Sequence, residues 1–370
     1  MYETGNDNRA ERVILIGTAL GSTSKDEAEY AVDELARLTA TAGGLEVARF
    51  IQKRDKPDGA YFIGRGLAEQ VAAAVEETEA DLVVFDELLS PNQQRNLGEK
   101  FNVKVIDRAM LILDIFALHA RSAEARLQVE LAQMVYLLPR LTGLWVHLSR
   151  QQGGIGTKGP GETQLETDRR AVTKKIAALK ERLKKIDRQR QTQRKGREGF
   201  FKIALVGYTN AGKSTLFNCL TKAGVAEADQ LFSTLDSTTR RLAGQYPQKA
   251  VLTDTVGFIE KLPHQLVASF RATLEEVKRA DLVLLVVDCS DPYLDRKIGV
   301  VERVLGDIGA ARIPRLTVYN KTDLLAPEAI VPAGSSDGAI PISATQRVGL
   351  NRLLAAISVR LEQDFPKHSV

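Results

Sequence analysis

The chain has 370 residues, 44% hydrophobic and 26% charged, and its 51 Lys and Arg against 47 Asp and Glu leave a formal charge of +4. That length supports two or three domains with ample core, and the composition is that of an ordinary soluble protein. Two cysteines, Cys219 and Cys289, exclude a disulfide framework; His119, His147, His264 and His368 lack metal-ligand spacing; no apolar run approaches a membrane span, and residues 1–25 lack a signal-peptide core, so a cytoplasmic chain is expected.

Residues 1–120 are expected to form an N-terminal α/β domain. Arg12–Ile16 reads as a strand, and Lys25–Leu38 carries Ala28, Val32, Leu35 and Leu38 at helical spacing. Leu45–Ile51 and Asp81–Phe85 read as further strands with a helical Leu67–Glu77 between them, and Val103–Ile106 and Leu111–Leu118 close the series. Alternating strand and helix points to a parallel sheet. Gly64-Arg65-Gly66 reads as a strand-to-helix turn before it reads as an anion site.

Residues 121–197 differ from both neighbours. Leu127, Leu131, Met134, Leu138 and Leu141 step by 4, 3, 4 and 3 residues, and Val172, Ile176, Leu179, Leu183 and Ile186 repeat the pattern. Two such seams around a Gly-rich connection predict an antiparallel helical hairpin packed knobs-into-holes. Pro139 should end or kink the first helix, and Thr163-x-x-Glu166 has the spacing of a capping box for the second. From Asp168 to Arg197 there are 13 Lys and Arg against 3 Asp and Glu, an excess suited to a phosphate-rich partner. Arg169, Arg170, Lys174 and Lys175 are the candidate contacts there, and Arg150 and Lys158 flank the Gly-rich loop 150–162. A solvated helix face and a disordered loop tip are the plain alternatives.

Residues 198–370 carry the chemistry. After the apolar run Lys202–Val206 comes Gly207-Tyr208-Thr209-Asn210-Ala211-Gly212-Lys213-Ser214, the G-x-x-x-x-G-K-[ST] pattern between a strand and a helical Thr215–Leu220. Its glycines permit a tight turn whose N–H groups surround phosphates; Lys213 would neutralise the β- and γ-phosphates and Ser214 would ligate Mg²⁺. The strand at Ala250–Leu252 leads into Asp254-Thr255-Val256-Gly257, with Asp254 placed for the Mg²⁺ shell and the Gly257 N–H for a γ-phosphate. Leu282–Val287 reads as a central strand, and Leu316–Tyr319 leads into Asn320-Lys321-Thr322-Asp323. A carboxylate at Asp323 can accept from both N1–H and the exocyclic amine of guanine, a donor pair adenine lacks. Ala339–Ile342 then ends at Ser343-Ala344-Thr345, a loop suited to backbone contacts with the base. Each motif alone could be an ordinary turn; in this order, each at the end of a strand, they predict a GTP-binding domain.

Two positions bear on hydrolysis. Between the phosphate loop and D-x-x-G lies Phe232-Ser233-Thr234-Leu235-Asp236-Ser237-Thr238-Thr239-Arg240, where a threonine should join the Mg²⁺ shell, and from the residues alone three compete. After D-x-x-G stands Phe258, which cannot orient water as a glutamine does, so slow intrinsic turnover awaiting a partner, another loop or a cation is expected. Asn210 is a candidate K⁺ ligand or a loop-stabilising amide.

The combination resembles the HflX family of ribosome-associated GTPases over nearly the whole chain. The resemblance is carried by Gly153–Arg170 (G-G-I-G-T-K-G-P-G-E-T-Q-L-E-T-D-R-R), Phe232–Arg241 and Asp254–Ile259. It implies an α/β N-terminal domain, a helical hairpin and a P-loop GTPase domain with a mostly parallel sheet. It further implies a factor that binds the large ribosomal subunit and ribosomal RNA in its GTP state, splits stalled or idle ribosomes during stress, and leaves as GDP. The resemblance places the Mg²⁺-linked threonine at Thr234, beside Ser214, and makes Lys213, Thr234 and Gly257 the catalytic set; a monomer is expected. Ser237 departs from the family's usual proline, and the sequence ends soon after the helix following Ser343, so the further C-terminal domain of some members is not expected. A ribosome-assembly GTPase and a switch acting on a protein partner are the competing readings.

Overall fold

The structure is a computed structural model describing residues 9–141, 160–195, 199–221, 231–232, 237–243, 250–261, 271–326 and 339–364. The chain divides into two compact units, Met1–Leu118 with Val129–Glu181, and His119–Gln128 with Arg182–Val370.

The first unit alternates β1 (Arg12–Leu20), α1 (Lys25–Thr41), β2 (Leu45–Arg54), α2 (Arg65–Glu77), β3 (Leu82–Phe85), α3 (Pro91–Phe101), β4 (Lys104–Asp107) and α4 (Arg108–His119). Its sheet runs β2-β1-β3-β4 with every pairing parallel, as alternation predicts. Ile14, Ile16, Ile63, Val71, Val83, Phe85 and Leu97 form one apolar core. Helix α3 escaped the periodicity reading because only Leu97 and Phe101 of its 11 residues are large and apolar. Its signal lay at the start, where Ser90 and Gln93 form a reciprocal capping box with Pro91 between them at the first helical position. Arg108 is buried between Asp86 (Nη1 to Oδ1, 2.6 Å) and Glu34, two carboxylates that compensate its desolvation.

Helix α5 (Ala123–Leu137) ends where Pro139 requires, in a 3₁₀ turn over Leu138–Arg140. Its predicted seam is corrected. Of Leu127, Leu131, Met134, Leu138 and Leu141, Leu131 is buried and the other four are partly so, while the most buried positions run through Ala125, Gln128, Val129, Ala132 and Tyr136. Alanines, a valine and a tyrosine hold that face, each two positions before a residue of the leucine seam, so a leucine count misplaces the stripe. Helix α6 (Pro160–Lys195) has 36 residues, about 54 Å at 1.5 Å per residue. It begins at Pro160, so Thr163 and Glu166 lie inside the helix and do not cap it; proline's fixed φ and missing N–H suit the first turn. Its predicted seam does hold the less exposed positions, with Leu179 buried and Val172, Ile176, Leu183 and Ile186 partly so.

The second unit continues with β5 (Phe201–Gly207), α7 (Lys213–Thr221), β6 (Thr238–Arg241), β7 (Ala250–Asp254), α8 (Arg271–Lys278), β8 (Leu282–Asp288), α9 (Leu294–Asp307), β9 (Arg315–Asn320), β10 (Ile340–Pro341) and α10 (Leu350–Asp364). The sheet order is β10-β9-β8-β5-β7-β6. All pairings are parallel except β6 with β7. Strand β8 is buried from Leu282 to Val287, which is why it reads as an unbroken apolar run. Separate apolar clusters form, one including Leu205, Phe217 and Leu353, the other Val206, Val301 and Leu305. Chain order reverses at β5, which pairs with β7 on one side and β8 on the other, and open α/β sheets bind ligands outside the C-terminal ends of strands at such a point. Among the described residues no helix is long and apolar enough to cross a membrane.

Candidate nucleotide site

The motifs gather on one edge of the second sheet. Gly207 ends β5, Asp254 ends β7, Asp288 ends β8, Asn320 ends β9 and Ser343 follows β10, so register alone sets them along one rim.

The phosphate-loop glycines are required for different reasons. A Cβ on Gly207 would stand 2.2 Å from the Val286 carbonyl oxygen of β8, so close strand approach demands glycine there, and not a turn. Gly212 has φ +86°, a left-handed conformation costly for side chains. Asn210 shares that region at φ +59°, which asparagine tolerates better than most residues, and it is exposed. Its identity therefore has a backbone reason independent of any cation. Tyr208, Thr209 and Ala211 are buried.

Lys213 is 7% exposed and its Nζ donates to the Tyr208 carbonyl at 2.7 Å. Burial lowers its pKa to about 8, against the partial counter-effect of the Asp254 carboxylate, and Lys321 adds to the lowering. The sign follows from linkage. Between about pH 8 and the ordinary value of 10.5 the unfolded chain holds more of this proton than the folded one, so the residue's contribution to ligand-free stability rises with pH across that window. A phosphate beside the ammonium restores the proton. Binding of GDP near pH 8, below the titration of guanine N1, should therefore take up part of a proton per site, read as a buffer-dependent heat in calorimetry, and Lys213→Arg should take up less. Equal heats in buffers of different ionisation enthalpy would contradict this.

Ser214 Oγ donates to Asp254 Oδ2 at 2.9 Å, and Asp254 is fully buried. A hydroxyl beside a carboxylate is a hard-oxygen pair suited to Mg²⁺. Thr255 Oγ1 donates to the Leu205 carbonyl at 2.6 Å and Val256 is buried, so both side chains serve the fold and leave only their backbones available to a ligand. Gly257 lies against the phosphate loop, since a Cβ there would be 2.8 Å from Thr209 Cα and 3.0 Å from Lys213 Nζ. Phe258 exchanges backbone bonds with the loop (its N–H to Gly207 O, 3.1 Å; its O from Thr209 N, 2.7 Å) and buries its ring among Val206, Val277 and Leu285. The position where a glutamine could orient water is thus a core position, and Phe258→Gln would bury an amide rather than deliver it to the site.

Of the three competing threonines, Thr238 and Thr239 lie in β6, with Thr239 Oγ1 3.0 Å from Thr253 Oγ1. The sequence showed only a polar segment there, because an edge strand of Thr and Arg has no apolar face. Phe232 is buried with φ +60°. Ser233, Thr234, Leu235 and Asp236 lie outside the described residues, as do Arg150, Lys158 and the loop to residue 159.

At the base end, Asn320 joins the loops. Its Nδ2 donates to Ala211 O at 2.9 Å, and its Oδ1 accepts from Ala344 N at 3.0 Å. Lys321, at φ +66°, pairs with Asp288 Oδ2 at 2.8 Å. Thr322, Asp323 and Leu324 form a 3₁₀ turn with Asp323 exposed at the rim. Ser343 and Ala344 are buried and Thr345 is exposed.

Sequence reasoning missed a clamp on the segment after D-x-x-G. Glu260 N donates to the Tyr208 hydroxyl at 2.9 Å, while the Glu260 carboxylate pairs with Arg296 of α9 at 2.9 Å. Lys297 stands 4.7 Å from the Tyr208 ring centroid and pairs with Asp291. No local pattern could reveal partners 36 and 52 residues apart. On α6, Arg169, Arg170, Lys174 and Lys175 are all exposed; Arg170 pairs with Glu166, and Lys175 with Glu130 at 2.7 Å.

Three family models match the chain: a "GTP-binding GTPase N-terminal" region over residues 29–117, a "GTP-binding GTPase Middle Region" over 119–197, and a "50S ribosome-binding GTPase" over 202–321. A "GTPase HflX" from Caldanaerobacter subterraneus subsp. tengcongensis is 49% identical over 98% of this chain and 82% of its own length. A "GTPase HflX" from Escherichia coli K12 is 45% identical over 92% of this chain and 81% of its own. A crystal structure of a protein named SsGBP in complex with GDP is 25% identical with a TM-score of 0.51, covering 95% of this chain and 99% of that one.

Proposed function

This chain belongs to the HflX family of GTPases, and on that premise we propose that it is a GTP-gated factor of the large ribosomal subunit. It hydrolyses GTP to GDP and phosphate. The observation that carries the partner is the match of residues 202–321 to a model described as a 50S ribosome-binding GTPase, together with 13 cationic against 3 anionic residues in the sequence from Asp168 to Arg197, of which Arg169, Arg170, Lys174 and Lys175 are exposed.

In this reading the phosphate loop Gly207–Ser214 wraps the phosphates, and Asn320–Asp323 with Ser343–Thr345 read guanine. Ser214 and Thr234 would hold Mg²⁺, with Asp254 ordering its outer shell, and the ion would supply charge neutralisation at the phosphates. Lys213, Thr234 and Gly257 sense the γ-phosphate, and Asn210 is the candidate for K⁺. With Phe258 in the core, turnover waits for a group supplied from outside. GTP orders the Thr234 and Gly257 segments and favours engagement through the N-terminal domain (1–120) and hairpin (121–197), the subunit speeds hydrolysis, and GDP releases the factor from ribosomes it has split in the cytoplasm.

Purified large subunits should raise the GTPase rate at least tenfold (about 10¹–10³), measured in K⁺ and in Na⁺ buffer so that cation dependence is read in the same experiment. An unchanged rate would sink the coupling. Reversing Arg169, Arg170, Lys174 and Lys175 to glutamate should abolish co-sedimentation at moderate salt, because each lost phosphate contact forfeits a released counterion. Retained co-sedimentation would instead favour a protein-directed switch, in line with the intramolecular pairs of Arg170 and Lys175. Co-purification with precursor particles alone would indicate an assembly GTPase.

A further inference from the structure

Both cysteines of the chain lie against the base-reading loops. Cys289, the residue after β8, directs its backbone N–H (3.0 Å) and its Sγ (2.9 Å) to one acceptor, the Asn320 carbonyl. Cys219, on α7 behind the phosphate loop, directs its Sγ to the Ala344 carbonyl at 3.3 Å. Asn320 and Ala344 are themselves joined, Ala344 N to Asn320 Oδ1 at 3.0 Å, and Asn320 Nδ2 reaches Ala211 O at 2.9 Å. One hydrogen-bonded chain therefore runs from Cys289 through Asn320 and Ala344 to Cys219, with a branch to the phosphate loop.

We propose that Cys289 and Cys219 are positioning residues for guanine recognition, their S–H donors holding the two peptide units from which the base-reading loops hang. The proposal rests on the assignment of Asn320–Asp323 and Ser343–Thr345 to the base. Asp323 follows Asn320 by three residues through a left-handed Lys321 and a 3₁₀ turn, so its carboxylate inherits its direction from the Asn320–Lys321 peptide plane. That plane is held on its carbonyl side by Cys289. Ala344 is held at both ends, its N–H by Asn320 and its carbonyl by Cys219.

Cysteine suits the place. Cys289 borders the apolar cluster of Val287, Val301 and Tyr319, where a thiol packs as a small hydrophobe and still supplies a donor. Burial, reinforced by the Asp288 carboxylate, pushes its pKa up to about 11, so the proton stays on sulfur at neutral pH. Protonated and hydrogen-bonded, the thiol acts here as a donor, not as a nucleophile.

The test compares GDP with IDP, which lacks the exocyclic amine that Asp323 would accept. Binding of both is measured for the unsubstituted chain and for Cys289→Ala, Cys219→Ala, the corresponding serine variants and Asp323→Asn, with the Tm of each. Each alanine variant should lower the preference for GDP over IDP about threefold to tenfold, the worth of a hydrogen bond, and serine should restore it to within about twofold. If the alanine variants lower Tm and leave the GDP-to-IDP ratio unchanged, the thiols only pack and the proposal fails. It fails equally if serine is as damaging as alanine. Should an alanine variant not fold, the ratio in its serine counterpart decides: retained preference supports the proposal and lost preference overturns it. Asp323→Asn tests the base assignment separately, since loss of preference there with intact preference in the cysteine variants would overturn this inference alone.

Discussion

Asp323→Asn is expected to weaken GDP binding about 10²- to 10⁴-fold, because it removes the carboxylate proposed to accept two hydrogen bonds from guanine, each worth roughly 1.5–3 kcal/mol when the acceptor is charged. The loss should be selective. Asparagine offers one acceptor and an NH₂ donor, and xanthine carries a carbonyl where guanine carries its amine. XDP affinity should therefore rise while GDP affinity falls, and a titration of both against the variant checks this. Asp323 is exposed on a short 3₁₀ turn and no described contact ties its carboxylate to the fold, so Tm should move little. An unchanged preference for GDP would remove Asp323 from the base site.

Lys213→Ala should lower single-turnover GTP hydrolysis about 10²- to 10³-fold, the cost typical of losing one preorganised group aimed at developing charge. The ammonium is buried beside the Tyr208 carbonyl and within the field of Asp254, so it is already held where a phosphate chain would meet it. Stability should respond differently from activity. Removing a buried ammonium relieves its desolvation, while Asp254, fully buried, loses a compensating charge. These effects oppose each other, so a modest change in Tm with a large loss of turnover is the expected signature. Turnover within about threefold of the unsubstituted protein would show that Lys213 does not face the reacting phosphate.

Much of the fold was legible where neighbours in sequence share one environment. Strand β8 is buried throughout, so its apolar run needed no further information. Pro139 stops α5 through its own ring. What escaped were elements defined by their partners. Strand β6 has no apolar side and exists because β7 offers it an edge. The buried stripe of α5 runs through alanines and Tyr136 that only packing identifies. The start of α6 was misplaced because a capping-box spacing is no signal inside a longer helix.

The candidate site divides the same way. By itself the sequence determined the order of phosphate loop, D-x-x-G and N-K-x-D, and with it the nucleotide class and the family, because each motif is a contiguous stretch whose residue types are set by backbone turns and ligand chemistry. Only the tertiary structure decided which side chains remain available. It sets Phe258 in the core, ties Thr255 to β5, links Ser214 to Asp254, and brings Glu260 to Arg296 and the two cysteines to the Asn320 and Ala344 carbonyls. Those relations join residues 31 to 125 positions apart, and they arise from strand order and register, which no local spacing encodes.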